Sequence, residues 1–251
     1  MNPVAELLRC EGVTVTFGGV IAVRDVTLGI GAGEILGIAG PNGAGKTTLF
    51  NAISGHVRLA AGRIEFGGQQ IDHLPPHAIF QKGIARTFQV PEIIGSQDVY
   101  TNVLAGAHFA RDDNLTGAMR FSAEAHLAAT SAIREHALSA RSTRIAAGLS
   151  LYEKKLTMLA SAMAEGPQLL LLDEPVGGLS SRETDAFRDH IQGAASHGTT
   201  IVIIEHVVRF LMGVTDRLVI LHRGEILFDG APGAARDDAD VRRLYLGSKF
   251  A

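Results

Sequence analysis

Residues 40–48 read Gly40-Pro41-Asn42-Gly43-Ala44-Gly45-Lys46-Thr47-Thr48 and follow an apolar stretch at residues 34–39. Glycines in such a turn let the backbone curl so that successive amide N–H groups point inward at an anion. Lys46 stands where a lysine reaches the β and γ phosphates of a nucleotide, and Thr47 stands where a hydroxyl binds magnesium. We therefore predict that residues 40–48 form a phosphate-binding loop between a strand and a helix, and that the chain binds a nucleoside triphosphate.

Length, composition and charge exclude several classes of protein. With 251 residues, 46% of them hydrophobic, the chain can build a sizeable core and is not disordered. The net charge is −3 and basic residues are mixed with acids, so we expect no nucleic-acid partner. The chain has one cysteine, no signal-like start and no apolar stretch long enough to cross a bilayer. These features predict a cytoplasmic protein that works from outside the lipid.

The first part of the chain mixes strands and helices. Residues 7–30 alternate apolar and polar side chains around Gly18-Gly19, which predicts antiparallel strands joined by a turn. Gly55 marks the end of the helix that follows the phosphate loop. The same signals predict a helix over residues 46–54, strands over 63–66 and 84–89, and a helix near 77–81.

The middle of the chain is rich in alanine and poor in β-branched runs. Residues 98–147 are therefore predicted to be largely helical, with a polar break at 111–114. We interpret this region as a helical subdomain inserted in an α/β core.

Two continuous apolar runs follow the helical region, at residues 168–172 and 199–204. Runs of this kind predict parallel strands that are covered on both faces. Ser180 and Glu183 have the spacing of a capping box, which predicts that a helix begins between the two strands. Final strands are predicted over residues 216–221 and 225–228, and a terminal helix over 240–246.

Adjacent carboxylates, Asp173 and Glu174, follow the predicted strand at residues 168–172. Ligands of open α/β sheets bind at the C-terminal ends of the strands. We expect Asp173 to bind magnesium and Glu174 to polarise a water molecule aimed at the γ-phosphate.

These motifs, in their order along the chain, resemble those of the ATP-binding cassette (ABC) ATPases. The resemblance covers nearly the whole chain and implies an α/β fold with a P-loop NTPase (RecA-like) core. In that fold a mainly parallel sheet carries an N-terminal antiparallel β-subdomain and an inserted helical subdomain. Residues 1–251 would then form a single ABC ATPase domain. Its catalytic core would comprise residues 1–92 and 166–251, and its helical subdomain residues 93–165.

The same resemblance assigns roles to individual residues. Phe17 matches the aromatic residue that stacks on adenine. Residues 40–48 match the Walker A loop, and Asp173 with Glu174 matches the Walker B motif and its catalytic base.

Further matches to the family follow neighbouring strands. Gln89 matches the Q-loop glutamine, which touches magnesium and the attacking water, and His206 matches the switch histidine, which senses the γ-phosphate. We therefore expect Glu174, His206 and Gln89 to act in hydrolysis, and Thr47, Gln89 and Asp173 to bind Mg²⁺.

The family signature, usually Leu-Ser-Gly-Gly-Gln, reads Leu149-Ser150-Leu151-Tyr152-Glu153 in this chain. In the family this segment caps the ATP bound on the opposite subunit, so Ser150 is a candidate nucleotide ligand. Ser150 and Glu153 also have the spacing of a capping box. Leu151 and Tyr152 replace glycines, and we expect strained backbone there, costing on the order of 1 to 3 kcal/mol. Two interpretations follow: a working variant, or a degenerate half-site that depends on a partner subunit.

Within the family, the chain resembles the ATPases of branched-chain (hydrophobic) amino acid uptake systems. The residues that carry this resemblance are Phe17-Gly18-Gly19 with Ala22-Val23, residues 83–89, Ile204-Glu205-His206 and residues 243–247. It implies a peripheral ATPase on the cytoplasmic face of the membrane, with ATP and Mg²⁺ as its cofactors.

The resemblance also implies partners. They are transmembrane permease subunits, a second ABC ATPase in a homo- or heterodimer and, indirectly, an extracytoplasmic solute-binding protein. A permease helix is expected to dock near Gln89 and residues 90–102, where Ile93, Ile94, Val99 and Tyr100 are either contact residues or internal packing. An ABC exporter ATPase and a nucleotide-binding subunit with weak hydrolysis remain alternatives. A soluble ABC protein of DNA repair or translation is disfavoured, because the chain has neither a second cassette nor a long coiled-coil insertion.

Overall fold

The structure is a computed structural model that describes residues 6–109 and 121–243. The strands in these ranges are β1 (Glu6–Phe17), β2 (Val20–Gly31), β3 (Ile35–Ala39), β4 (Ala61–Phe66), β5 (Gln69–Gln70), β6 (Ile84–Arg86), β7 (Leu169–Asp173), β8 (Thr200–Ile204), β9 (Arg217–His222) and β10 (Glu225–Gly230). The α-helices are α1 (Lys46–Ile53), α2 (Pro76–Gln81), α3 (Val99–Phe109), α4 (Ala123–Glu135), α5 (Leu151–Met163), α6 (Ser181–Ser196), α7 (Val208–Val214) and α8 (Ala239–Val241).

The first sheet is four-stranded and antiparallel, in the order β2-β1-β4-β5. Phe17 pairs with Val20, so Gly18-Gly19 forms the turn that the alternating pattern predicted. Leu8 and Cys10 point into the core while Arg9 between them is exposed, as expected for a sheet with one solvated face.

The second sheet is six-stranded, in the order β10-β9-β3-β8-β7-β6. Strands β6, β7, β8, β3 and β9 run parallel, and β10 is an antiparallel edge. Successive residues of one strand enter different cores. Leu169 and Leu171 pack in the core shared with the first sheet and α1, whereas Leu170 and Leu172 pack with helices α3 to α6. The sheet is therefore covered on both faces, which is why its central strands read as continuous apolar runs.

This strand order brings three chain segments to one edge of the sheet. Ile38 of β3 and Asp173 of β7 both pair with Ile204 at the C-terminal end of β8. The residues that follow these strands, Gly40, Glu174 and Glu205, therefore lie at the same edge, where ligands of open α/β sheets bind.

Some elements differ from the sequence-based expectations. The strand predicted over residues 84–89 ends at Arg86, because Thr87 N makes a last hydrogen bond to Leu171 O at 2.9 Å and the chain then leaves the sheet. β5 and α7 were not predicted, since two residues and a single short helix give weak periodic signals. The polar break at 111–114 and residues 244–247 lie outside the described residues, and α8 covers only the start of the predicted terminal helix.

Helices α3, α4 and α5 pack against one another and supply much of the core on one face of the second sheet. Within the described ranges, the search for a helix both long and apolar enough to span a bilayer found none.

Candidate active site

The loop at residues 40–48 has a backbone that only glycine fits at two positions. Gly40 has φ 147° and Gly45 has φ 102°. A Cβ atom on Gly40 would lie 2.3 Å from Leu221 O, and one on Gly45 would lie 2.4 Å from Ala22 O. Gly43, by contrast, has open space around its Cβ position. The loop is thus packed tightly against β9 and β2 on one side and open on the other.

The ammonium group of Lys46 lies inside this loop. Its Nζ donates hydrogen bonds to Gly40 O at 2.8 Å and Pro41 O at 2.9 Å. Lys46 is buried at the first position of α1, and Thr47 beside it is exposed. A lysine, a helix N-terminus and the amides of a glycine loop together suit a polyphosphate anion.

The Asp173 carboxylate, predicted to bind magnesium, is paired with Arg86 in this structure. Arg86 Nη2 lies 3.1 Å from Asp173 Oδ2, and both side chains are 6% exposed. Arg86 Nη1 also donates to Asn51 Oδ1 at 2.7 Å and to Ser54 Oγ at 2.9 Å, which ties β7 to the end of α1. Burial raises the pKa of Asp173, and the guanidinium group of Arg86 opposes that rise.

The structure brings together the residues that were predicted to act in hydrolysis. Glu174 Oε2 accepts a hydrogen bond from Gln89 Nε2 at 2.6 Å, and Glu174 Oε1 lies 2.7 Å from His206 Nε2. Glu174 itself has φ 47°, in the left-handed region that non-glycine residues seldom adopt. The Glu174 carboxylate is thus held between two side chains that come from neighbouring strand ends.

The donor groups predicted for magnesium fit that ion chemically. The Thr47 hydroxyl, the Asp173 carboxylate and the Gln89 amide all offer oxygen atoms, which Mg²⁺ prefers over nitrogen or sulfur. Thr47 and Gln89 are exposed and Asp173 is buried, with Lys46 close enough to oppose the rise that burial causes in the pKa of Asp173.

Two buried charged residues near Glu174 were not among the predicted site residues. Lys155, on α5, donates from Nζ to Glu174 O at 2.8 Å. Glu205 accepts hydrogen bonds from the backbone N–H groups of Val176 at 3.0 Å and His206 at 2.9 Å. Burial raises the pKa of Glu205, and these amide hydrogen bonds oppose the rise. Glu205 could have been predicted as a site residue, because it is a polar residue directly after an apolar run. Lys155 could not, because nothing in the sequence distinguishes it from its neighbour Lys154.

The signature segment begins α5 without backbone strain. Ser150 Oγ accepts from Glu153 N, Glu153 Oε2 accepts from Ser150 N, and the capping box is complete. Leu151 and Tyr152 are the first residues of the helix, and neither has a positive φ. The expected strain at these two positions is therefore wrong, because the helical backbone accepts any L-residue there. Glu153 is also held by Arg141 Nε at 2.7 Å, which lowers the pKa of its carboxyl.

Phe17 and Ser150, which were also predicted to contact nucleotide, are both exposed. Phe17 ends β1 beside the Gly18-Gly19 turn and is 52% exposed. Ser150 is exposed at the N-cap of α5, where its hydroxyl accepts from Glu153 N and its own N–H donates to the Glu153 carboxylate. Their predicted roles, stacking on adenine and contacting the opposite subunit's nucleotide, both require an accessible side chain.

A groove of about 690 Å³ separates α2 and β6 from α3 and α5. Its lining includes Arg86, Phe88, Ile93, Ile94 and Phe109. Of the side chains expected to meet a permease helix, Ile94 is 51% exposed. Val99 is fully buried and belongs to the core, so of the two alternatives for this residue the structure favours internal packing.

Comparison with known proteins agrees with this architecture. The family model described as ABC transporter matches residues 23–177, more than half of the chain. The high-affinity branched-chain amino acid transport ATP-binding protein BraF of Pseudomonas aeruginosa is 34% identical, over 96% of this chain and 98% of the relative. The corresponding protein LivG of Escherichia coli is 33% identical over the same shares. A solved ATP-binding cassette of an ABC transporter, in its ADP conformation, has 27% identity and a TM-score of 0.86, covering 97% of this chain and 99% of that chain. The chain therefore belongs to the ABC transporter family, as one of its ATP-binding cassette ATPases.

Proposed function

We propose that this chain is the ATP-hydrolysing subunit of a transporter that imports branched-chain amino acids or related amino acid or amide compounds. The similarity to two branched-chain amino acid transport proteins over almost the entire chain supports this substrate class. The observation that carries the hydrolytic part is the Glu174 carboxylate, bracketed by Gln89 and His206 at the end of β7.

The proposed mechanism relies on positioning and charge. The amides of residues 40–48 and the Lys46 ammonium group bind the phosphates, and Phe17 stacks on the adenine ring. Thr47, Asp173 and Gln89 hold Mg²⁺, which supplies charge neutralisation to the transferring phosphoryl group when it is bound.

Hydrolysis itself is assigned to the groups at the ends of β7 and β8. Glu174 accepts a hydrogen bond from the attacking water and so orients and polarises it. Gln89 fixes the direction of the carboxylate. His206, whose Nε2 is paired with Glu174 here, would instead donate from Nε2 to the γ-phosphate when ATP is bound. Release of the phosphate would free His206 and signal that hydrolysis has occurred.

The proposal includes partners and location. Two cassettes, identical or sister chains, would enclose two ATP molecules, with Ser150 of each chain at the nucleotide held by the other. Permease subunits would dock in the groove beside Gln89. The chain would then lie on the cytoplasmic face of the membrane. An extracytoplasmic solute-binding protein would deliver the solute to the permeases and so be an indirect partner. We retain residues 1–92 and 166–251 as the proposed catalytic core and residues 93–165 as the proposed helical subdomain.

Of the two interpretations of the signature segment, the geometry favours a working variant. The N-terminus of α5 is intact, and Ser150 is exposed where the helix dipole favours an anion. The absence of positive φ at Leu151 and Tyr152 removes the physical reason for expecting weak hydrolysis.

Measurement of Mg²⁺-dependent ATPase activity tests the hydrolytic proposal. Glu174→Gln should lower kcat about 100-fold or more, because loss of a general base removes that much catalysis. Glu225→Gln is the matched control, since this side chain is 60% exposed on β10, and it should leave the rate unchanged. Retained turnover in Glu174→Gln would rule out Glu174 as the base.

Transport direction and substrate need a second experiment. The chain, its permeases and their solute-binding protein, reconstituted in vesicles, should accumulate labelled leucine in an ATP-dependent manner. ATP-dependent movement of a lipid or other cargo away from the side that holds the ATPase, without leucine uptake, would instead establish an exporter.

A further inference from the structure

Lys155 is a buried cation on α5, within the proposed helical subdomain, that the family resemblance did not single out. It is 2% exposed, although it lies only one residue from the half-buried Lys154 on α5. An ammonium group is removed from water only at a high cost in free energy unless it is paired and hydrogen-bonded. Burial lowers the pKa of Lys155, while Glu205 and Glu174 oppose that shift. The lysine is therefore held by specific partners and not merely by apolar packing.

The hydrogen bond of Lys155 goes to the main chain of Glu174. Nζ lies 2.8 Å from the Glu174 carbonyl oxygen. Among the described residues, that carbonyl also accepts from Gly177 N at 3.3 Å, and Glu174 N donates to Ile204 O at 2.9 Å. Of the two donors to this carbonyl, Lys155 makes the shorter contact, and it is the one that comes from a distant element, α5.

Glu174 needs such support because its backbone is in an uncommon conformation. A non-glycine residue with φ 47° persists only where its surroundings hold it in place. From this conformation the Glu174 side chain meets Gln89 and His206 at 2.6 Å and 2.7 Å. A change in the peptide that follows Glu174 would redirect the carboxylate away from both partners.

We propose that Lys155 is a positioning residue for ATP hydrolysis, whose hydrogen bond to the Glu174 carbonyl holds the left-handed backbone that aims the catalytic carboxylate. Glu205 assists from the other side, since its carboxylate fixes the amides of Val176 and His206. The two buried charges of opposite sign thus hold the chain on both sides of the Glu174 carboxylate.

The place of Lys155 in α5 gives this contact a further consequence, which rests on the proposed function. Ser150 caps the same helix five residues earlier and would face the nucleotide bound by the opposite subunit. Lys155 would then connect that contact with Glu174, the catalytic base on its own chain. A shift of α5 on nucleotide capture would be transmitted to Glu174 through one hydrogen bond.

Three variants test the proposal. Lys155→Met keeps the length of the side chain and removes the donor, and Lys155→Gln keeps an N–H donor without the charge. Lys154→Met is the matched control on the same helix. We expect Lys155→Met to lower kcat about 10- to 100-fold with the KM for ATP within about twofold, the pattern of an interaction made in the transition state. Lys155→Gln should recover part of kcat, and Lys154→Met should match the wild type.

Hydrogen–deuterium exchange gives a second readout that does not depend on turnover. Amides in residues 174–179 should exchange faster in Lys155→Met than in the wild type or Lys154→Met, while those of β7 stay protected. The proposal is overturned if Lys155→Met and Lys154→Met have equal kcat and equal exchange. It is also overturned if Lys155→Met loses kcat only together with nucleotide binding, measured with a fluorescent ATP analogue.

Failure of the proposed function has a different signature. A wild-type chain without Mg²⁺-dependent hydrolysis, even with its permeases, would refute the ATPase assignment while the exchange experiment still decided whether Lys155 holds the Glu174 segment. Wild-type hydrolysis that Glu174→Gln abolishes, with Lys155→Met fully active, would refute only the role of Lys155.

Discussion

At the scale of single residues, Arg86 shows how one side chain organises the site. Its guanidinium group reaches Asp173 on β7, Asn51 on α1 and Ser54 directly after α1, and its Cζ lies 4.9 Å from the centre of the Phe88 ring. The same residue lines the groove proposed for the permease. Arg86 therefore connects the surface of that groove with the carboxylate proposed to bind magnesium.

Removal of Arg86 should leave a buried carboxylate without its partner. We expect Arg86→Met to lower the free energy of unfolding by about 3 kcal/mol or more, measured by urea denaturation at pH 7, because breaking a buried ion pair costs that much. Arg63→Met is the control, since its ion pairs with Glu11 and Glu65 are half-exposed and should contribute less than about 1 kcal/mol. Equal losses in the two variants would show that the Arg86–Asp173 pair has no special stabilising role.

The sequence predicted part of this site because some residues occupy positions that chemistry requires. Gln89, Glu174 and His206 follow strands whose C-terminal ends must meet in a parallel sheet, so their proximity could be expected. The contribution of Arg86 and Lys155 could not be predicted in the same way. Each acts through a contact across the fold, and a basic residue on a strand or helix looks the same whether it is solvated or buried.

At the scale of elements, α5 corrects an expectation drawn from residue types alone. Glycine in the family motif suggested that Leu151 and Tyr152 would be strained. The capping box of Ser150 and Glu153 instead begins the helix at Leu151, so both residues have ordinary helical backbone. The identity of a residue in a motif thus does not establish the backbone conformation at that position.

The natural Tyr152 should therefore not impair hydrolysis. We expect Tyr152→Gly to leave kcat within about twofold of the wild type and to lower the free energy of unfolding by about 1 kcal/mol, because glycine is a poor helix former and the tyrosine ring packs on the core. Steady-state ATPase assays and urea denaturation measure the two effects, with Tyr152→Ala to separate helix propensity from loss of the ring. A large gain in kcat from Tyr152→Gly would contradict the strain-free geometry.

At the scale of the whole molecule, the class of fold was predictable but its strand order was not. Alternation at residues 7–30 and the apolar runs at 168–172 and 199–204 distinguish an antiparallel sheet from a buried parallel one. The order β9-β3-β8-β7-β6 depends on pairing between strands far apart in the chain. The apolar strands β3, β7 and β8 resemble one another closely, so only tertiary packing decides which neighbours they take.

One contact between α4 and α6 should make the stability of the whole molecule depend on pH. His136, which ends α4, lies with Nδ1 3.4 Å from Nδ1 of His190 on α6. Burial, followed by the proximity of His190, lowers the pKa of His136 from 6.5 to about 4. The unfolded chain therefore binds a proton at this histidine more readily than the folded protein does, and the contribution of the neutral ring is complete above about pH 6.5.

As the pH falls from about 6.5 towards 4, this contribution should be lost, by at most about 3 kcal/mol, since one pKa unit corresponds to about 1.4 kcal/mol. Urea denaturation at intervals across this range measures the slope, and His136→Leu should make it shallower because a group with a strongly lowered pKa is absent. His197→Leu is a control, since His197 is exposed at the end of α6 and its loss should leave the slope nearly unchanged. A wild-type slope as shallow as that of His136→Leu would mean that His136 takes up its proton equally well in the folded and unfolded chains.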